Sequence, residues 1–187
     1  MIIGITGHAR HGKDTVADFI CDLTAPDFYK CALADTMKVV ASIVFGWDFD
    51  DLYTDKKDEV DPKWGISPRH VLQSLGTEWG QYKLSEYDSF REKTGRLLWT
   101  RSLLNTIADN DNAVIADVRF PHEAEAIKKR GGKIVMIRRP GWPVDMTHDS
   151  EKAVEEIKPD YVIRNGLGLD ALKDETKKML NYFSITP

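Results

Sequence analysis

The stretch MIIGITGHARHGKDTVADFI at the start of the chain constrains the fold more than any other. Residues 2–6, Ile-Ile-Gly-Ile-Thr, are a short apolar run that reads as a buried strand. Val16, Phe19, Ile20 and Leu23 lie at i, i+3, i+4 and i+7 and give a helix over 13–23 one apolar face. Between the two sits Gly7-x4-Gly12-Lys13, the outline of a phosphate-binding loop. Glycines let backbone N–H groups close around phosphate oxygens, and the helix N-terminus adds a positive dipole end. Lys13 would neutralise the outer phosphates, with Arg10 in reach of the same charge. A tight strand-to-helix turn with an exposed lysine is the alternative.

The residue after the lysine is ordinarily Ser or Thr, with its hydroxyl on Mg²⁺. Here it is Asp14, and Thr15 comes one place later. A carboxylate beside a polyphosphate is repelled unless a cation lies between them. Mg²⁺ accepts one or two carboxylates alongside phosphate oxygens and waters. Asp14 is therefore a candidate Mg²⁺ partner, directly or through a water, and Thr15 a phosphate donor. A carboxylate in the first helical turn also suits the helix dipole, so a capping role is the alternative for Asp14.

Downstream, short apolar strands alternate with amphipathic helices. Strands are expected at 28–33, 112–118, 133–137 and 160–165. Helices are expected at 35–45, with Asp35 as N-cap and Gly46 as stop, and from Pro68 behind Ser67 as N-cap. Further helices are expected at about 96–109, from Pro121 to Gly131, and after 165. The acidic, aromatic segment 47–66 reads either as an ordered excursion or as a solvated loop. This pattern predicts an α/β fold of three layers, a parallel sheet flanked by helices, as one domain over 1–187. Ligands in such sheets bind beyond the carboxyl ends of the strands.

Composition narrows the function. A formal net charge of -4 argues against a broad nucleic-acid surface, so any anion site must be a local basic cluster. No segment approaches the ~20 apolar residues of a membrane span, and the first residues lack signal-peptide character. Cys21 and Cys31 fit neither zinc nor redox spacing and read as buried thiols. A cytoplasmic protein with no membrane partner is expected, and the sequence leaves a homodimer open.

Phosphoryl transfer needs cations around the moving charge. Lys38, Arg69, Arg119, Arg138 and Arg139 lie at helix starts or strand ends that face a cleft; Arg91, Arg96, Arg101 and Arg130 read as solvated. Asp117 ends the apolar run AVIAD and could hold Mg²⁺ or its waters, with capping as the alternative. His8 and His11 read as loop surface.

The stretches GHARHGKDT, ALADTMK, SPRHVLQSLGTEWG, VIADVRFPHEAEAI, GGKIVMIRRPG, THDSE and DYVIRNG occur in order over residues 2–167. In them the chain resembles the bacteriophage deoxynucleoside monophosphate kinases. The resemblance implies an adenylate-kinase-like P-loop fold, with a helical monophosphate-binding region over about 35–110 and a short lid over about 139–152. It implies Mg²⁺-dependent transfer from ATP to a deoxynucleoside 5′-monophosphate, in the host cytoplasm if phage-encoded. The ATP phosphates would lie on Gly7, Arg10, Gly12, Lys13, Asp14 and Thr15. The monophosphate side would take Lys38, Arg69, Gly76, Thr77, Trp99, Asp117, Arg119 and Glu123, with Trp99 either stacking on base or sugar or packing in a helix core. Lys13, Asp14, Arg119 and Arg139 would carry catalysis. The monophosphate region and lid are shorter than in some members. A phosphomevalonate- or dephospho-coenzyme A-type kinase, or an NTPase switch that binds a protein, stays open on the residues alone.

Overall fold

The computed structural model describes residues 1–144, 146–147 and 149–186. In chain order its elements are β1 (Ile2–Thr6), α1 (Lys13–Leu23), β2 (Phe28–Cys31), α2 (Ala34–Phe45), α3 (Phe49–Tyr53) and a 3₁₀ turn (Asp55–Asp58). Then come α4 (Pro68–Gln73), a π-helix (Ser74–Lys83), a second 3₁₀ turn (Leu84–Glu86), α5 (Asp88–Lys93) and α6 (Leu98–Thr106). The chain closes with β3 (Asn112–Val118), α7 (Pro121–Lys129), β4 (Lys133–Arg138), α8 (Asp149–Val154), β5 (Tyr161–Arg164) and α9 (Leu169–Tyr182). These form two compact units, Met1–Ala32 with Ile107–Pro187, and Leu33–Thr106. Among the described residues no helix is long and apolar enough to cross a membrane.

The first unit is a parallel sheet in the order β2-β3-β1-β4-β5. Alternation along β1 assigns its two faces. Ile3 and Ile5 pack with Val16 and Ile20 of α1 and with Leu172, Met179 and Leu180 of α9. Gly4 points the other way: a Cβ there would lie 3.0 Å from Ile127 of α7 and 2.8 Å from Ile134. Helices therefore cover both faces, which explains why β1 and β4 are continuous apolar runs. The connections leaving β1 and β3 run to opposite sides of the sheet, so the crevice at their carboxyl ends is where a ligand belongs.

The second unit is helical. Its core gathers Ala41, Trp47 and Leu52. Segment 47–66 takes the ordered reading: an Asp48–Asp51 capping box starts α3, and Trp47 stacks on Phe45 at 4.4 Å while its Nε1 donates to Asp61 at 2.5 Å. Ser67 caps α4 by accepting from the His70 N–H, and Gly46 ends α2 with φ 74°.

Several expectations need correction. β2 stops at Cys31, and α6 is confined to Leu98–Thr106. Leu33, not Asp35, occupies the N-cap of α2; the Asp35 carboxylate instead accepts from the Tyr53 hydroxyl at 3.2 Å. Cys21 and Cys31 are only half-buried, and the Cys31 thiol donates to the Val114 carbonyl at 3.6 Å. Arg96, expected to be solvated, donates to Gln81 at 3.0 Å and lies over the Tyr82 ring. The π-helix was not foreseen, because its wider turn has no apolar period of 3.6 to betray it. Gly76 and Gly80 admit close neighbours there: a Cβ would stand 2.8 Å from Met37 Sδ and 2.2 Å from Trp99 Nε1 respectively.

Gly80→Ala must therefore displace the Trp99 indole. It is expected to destabilise the protein by about 1–3 kcal/mol, the usual range for overpacking. Urea unfolding monitored by tryptophan fluorescence would read this as a lowered midpoint, and an unchanged midpoint would show that the π-helix relaxes freely.

Candidate active site

The loop between β1 and α1 is built by backbone constraints. Gly7 has φ 142°, and a Cβ there would lie 2.5 Å from the Ile137 carbonyl oxygen. Gly12 has φ 97°, and its Cβ would meet Asn165 Nδ2 at 2.7 Å. Asn165 donates to the His11 carbonyl at 3.0 Å, so the residue after β5 braces the loop. Arg10 itself adopts φ 61°, an uncommon conformation for a non-glycine residue.

Lys13 is buried at 7% exposure, and its Nζ donates to the His8 carbonyl at 2.8 Å. Burial lowers its pKa to about 8; Arg119 pushes the same way, while Glu151, Asp14 and Asp117 oppose. One cation, Arg119, and three acids, Glu151, Asp14 and Asp117, thus act electrostatically on the lysine.

His8 and His11 are buried, contrary to the surface expectation, because the loop folds back onto the sheet end and its histidines fill the space beneath. His8 Nδ1 meets Glu151 at 3.0 Å and Nε2 meets Glu155 at 2.7 Å. His11 Nδ1 lies 3.3 Å from the Ile137 carbonyl oxygen.

At the end of β3 the half-buried Asp117 acts electrostatically on both Lys13 and Glu123. Arg119 Nη1 donates to Glu151 at 2.5 Å. Glu123 is buried at the start of α7, where one carboxylate oxygen accepts from the N–H groups of Arg119 at 2.8 Å and Phe120 at 3.0 Å. This carboxylate shapes the turn that presents Arg119.

A cleft of about 630 Å³ opens beside the loop, lined by Arg10, Lys13, Thr15, Arg139, Asn165 and Leu169 among others. Arg139 donates to the Arg10 carbonyl at 3.4 Å, and its guanidinium lies 4.0 Å from the Trp142 ring centroid. Asp14 also borders the cleft, but its carboxylate is 80% exposed and paired with Lys30 at 3.0 Å. Of the expected lid, Asp145 and His148 lie outside the described residues.

Lys38, Arg69, Gly76, Thr77 and Trp99 belong to the second unit. Lys38 Nζ stands 3.5 Å from the Tyr53 ring centroid and 3.6 Å from Asp35. Arg69 grips both carboxylate oxygens of Asp58, from Nε to Oδ1 and from Nη2 to Oδ2 at 3.0 Å. Gly76 and Thr77 lie in the π-helix. Trp99 takes the packing reading: it is 7% exposed and donates to the Gly76 carbonyl at 3.1 Å.

Sequence reasoning gave no role to Glu151, Glu155 and Asn165. The stretches THDSE and DYVIRNG mark two of them without a physical cue, since each acts on residues about 140–155 positions away.

A parallel sheet with a phosphate loop joining β1 to α1 defines a P-loop kinase fold. The model of the deoxynucleotide monophosphate kinase family matches residues 48–176. A putative deoxynucleotide monophosphate kinase of Acanthamoeba polyphaga mimivirus is 33% identical over 181 residues, covering 88% of this chain and 88% of its own length. The deoxynucleoside-5′-monophosphate kinase of Escherichia phage T5 is 25% identical over 190 residues, covering 69% and 72%. Among solved structures, shikimate kinase from Aquifex aeolicus aligns over 100% of both chains with TM-score 0.54 at 14% identity, a likeness of fold. The chain belongs to the deoxynucleotide monophosphate kinase family.

Burial raises the Glu123 pKa to about 7 against the pull of its two N–H bonds, and the Asp117 charge adds to the rise. A folded pKa above the unfolded value means stability that is complete below about 4.5 and lost as pH rises through 7. Relative to Glu123→Gln, the wild type should lose up to about 3 kcal/mol between pH 4.5 and 7.5. Parallel urea titrations of the two proteins at both pH values check this.

Proposed function

We propose that the protein transfers the γ-phosphoryl group of ATP to a deoxynucleoside 5′-monophosphate, giving ADP and the diphosphate. The observation that carries this reading is the buried Lys13 at the base of a loop whose glycines leave no room for a Cβ, in a chain of this family. ATP phosphates would take the loop N–H groups and draw Lys13 Nζ off the His8 carbonyl. Arg10 and Arg139 border the same cleft and would bind outer phosphate charge. Arg119 would stabilise the transferring group, with Glu123 acting through the turn it caps. The acceptor is already a phosphate dianion near neutral pH. Its oxygen attacks the γ-phosphorus in line as the bond to the β-bridging oxygen breaks, and no general base is needed. Catalysis is then positioning and charge neutralisation.

Among the described residues no cluster of three or more His, Cys, Asp or Glu could cage a metal. One or two carboxylates beside phosphate oxygens suit Mg²⁺, so Asp117 and Asp14 fit a nucleotide-borne ion. Bound there, Mg²⁺ would supply charge neutralisation at the β- and γ-phosphates.

The monophosphate would be met by Lys38 and Arg69, with Gly76 and Thr77 offering π-helix backbone and Trp99 acting through the Gly76 carbonyl. Both cations now contact carboxylates, Asp35 and Asp58, which occupy them as an acceptor phosphate would.

A coupled ADP-release assay with ATP against each common dNMP and NMP tests the function, and no turnover with any monophosphate would overturn it. The charged form of Lys13 binds phosphate, and bound phosphate raises its pKa. Hence kcat/KM for ATP should fall tenfold per pH unit above about 8, while kcat holds to higher pH. Lys13→Ala should be inactive at every pH. Asp58→Asn releases Arg69 from an exposed pair worth about 0.2–1 kcal/mol, so KM for the monophosphate should drop by up to about fivefold. A raised KM in that variant would make Asp58 a substrate-binding group.

A further inference from the structure

We propose that Glu151 is a positioning residue for phosphoryl transfer: its single carboxylate fixes Arg119 against the phosphate loop. This inference rests on the proposed kinase function.

A buried carboxylate needs compensation for every lone pair it takes from water. Glu151 is buried at the start of the short helix α8, and its two oxygens divide their work. Oε1 accepts from Arg119 Nη1 at 2.5 Å. Oε2 faces the loop, meeting His8 Nδ1 at 3.0 Å and the Ala9 N–H at 3.3 Å. Burial pushes its pKa up, but the Arg119 guanidinium, His8 and the Ala9 N–H outweigh it and hold the group below the ordinary carboxylate range. Arg119 and the loop are thus tied to one rigid planar group, and their separation is set by its dimensions.

The link reaches the second cation as well. Lys13 Nζ donates to the carbonyl of His8, the residue whose ring Glu151 holds. On the far side, His8 Nε2 meets Glu155, and Glu155 accepts from Arg138 at 2.8 Å. A chain Arg119–Glu151–His8–Glu155–Arg138 therefore runs under the loop, joining the ends of β3 and β4 to α8 and the turn after it. The Glu151 contact uses one of the five guanidinium donors of Arg119, leaving the others for phosphate. A free arginine samples many rotamers; an arginine already held need not lose that freedom in the transition state.

A purely structural ion pair would lower stability and leave turnover per folded molecule intact. The positioning role predicts, beyond any loss of stability, a loss of turnover per folded molecule. Glu151→Gln keeps the size of the side chain and one acceptor oxygen but cannot serve Arg119 and the loop together. Its kcat per folded molecule should fall about 10- to 100-fold, with KM for ATP and monophosphate within threefold, alongside a lowered unfolding temperature that still leaves the protein folded at the assay temperature. Glu151→Asp should recover part of the loss. Because the chain acts as a unit, His8→Gln combined with Glu151→Gln should cost little more than Glu151→Gln alone. A Glu151→Gln kcat within twofold of wild type, or a loss explained by unfolding, overturns the proposal. A second readout does not need turnover. Rotation about the Arg119 Cζ–Nε bond should be slow in the wild type, giving separate Nη resonances assigned by their loss in Arg119→Lys, and these should merge in Glu151→Gln. Identical Arg119 spectra in the two proteins overturn the proposal too. If the wild type phosphorylates no monophosphate, the kinase function fails while the Arg119 resonances still decide whether Glu151 holds Arg119.

Discussion

A buried ammonium is the constraint around which the first unit is organised. Lys13 is almost enclosed, and enclosure alone favours its neutral form. The fold answers with a carbonyl at 2.8 Å and with three acids whose charges oppose the burial. None of this would hold without the backbone path that puts the helix start under the loop. That path is available only to glycine at positions 7 and 12, where neighbouring atoms of Ile137 and Asn165 leave no room for a Cβ. The loop is therefore a consequence of sheet geometry as much as of its own motif: β4 and the end of β5 form its floor.

Sequence patterning revealed most of this frame and little of its bracing. The strand 2–6 and the helix 13–23 follow from local period and appear where expected. So does β3, whose apolar run is buried almost throughout. Burial of His8 and His11 could not be read, since a histidine in a polar loop carries no sign of the two glutamates that reach it from residues 151 and 155. Glu123 was legible only as part of a family stretch, and its capping of the Arg119–Phe120 turn emerged from geometry. The π-helix escaped because its residues look helical while its spacing does not. For the histidines the missing term was a tertiary contact acting at long sequence distance, whereas the Glu123 cap and the π-helix are local features without an apolar period to mark them.

The second unit shows how an acidic segment can be ordered without being core. Trp47 and Leu52 anchor it from below, while the acids Asp50, Asp55 and Asp58 stay near solvent. Asp58 then pairs with Arg69, and the Tyr53 ring covers Lys38. Two cations held in a partly open helical unit would be a liability if left bare, since uncompensated charge repels charge and attracts any passing anion. Exposed carboxylate partners hold them at small energetic cost.

The same reasoning applies to Asp14. Its carboxylate lies on the exposed side of the first turn of α1, one helical turn before Asp18, and Lys30 bridges the two at 3.0 and 2.9 Å. Burial would lower the Lys30 pKa, yet the bonds to Asp18 and Asp14 leave it raised. An exposed pair of this kind is worth at most about 1 kcal/mol. Lys30 therefore ties Asp14 to Asp18 across the exposed side of the first two turns of the helix. Asp117, half-buried near Lys13, meets the opposite condition: its charge is already engaged with the loop cation. The two acids differ in setting: Asp117 is half-buried at a strand end, and Asp14 lies on the exposed side of the helix with Lys30 as its partner.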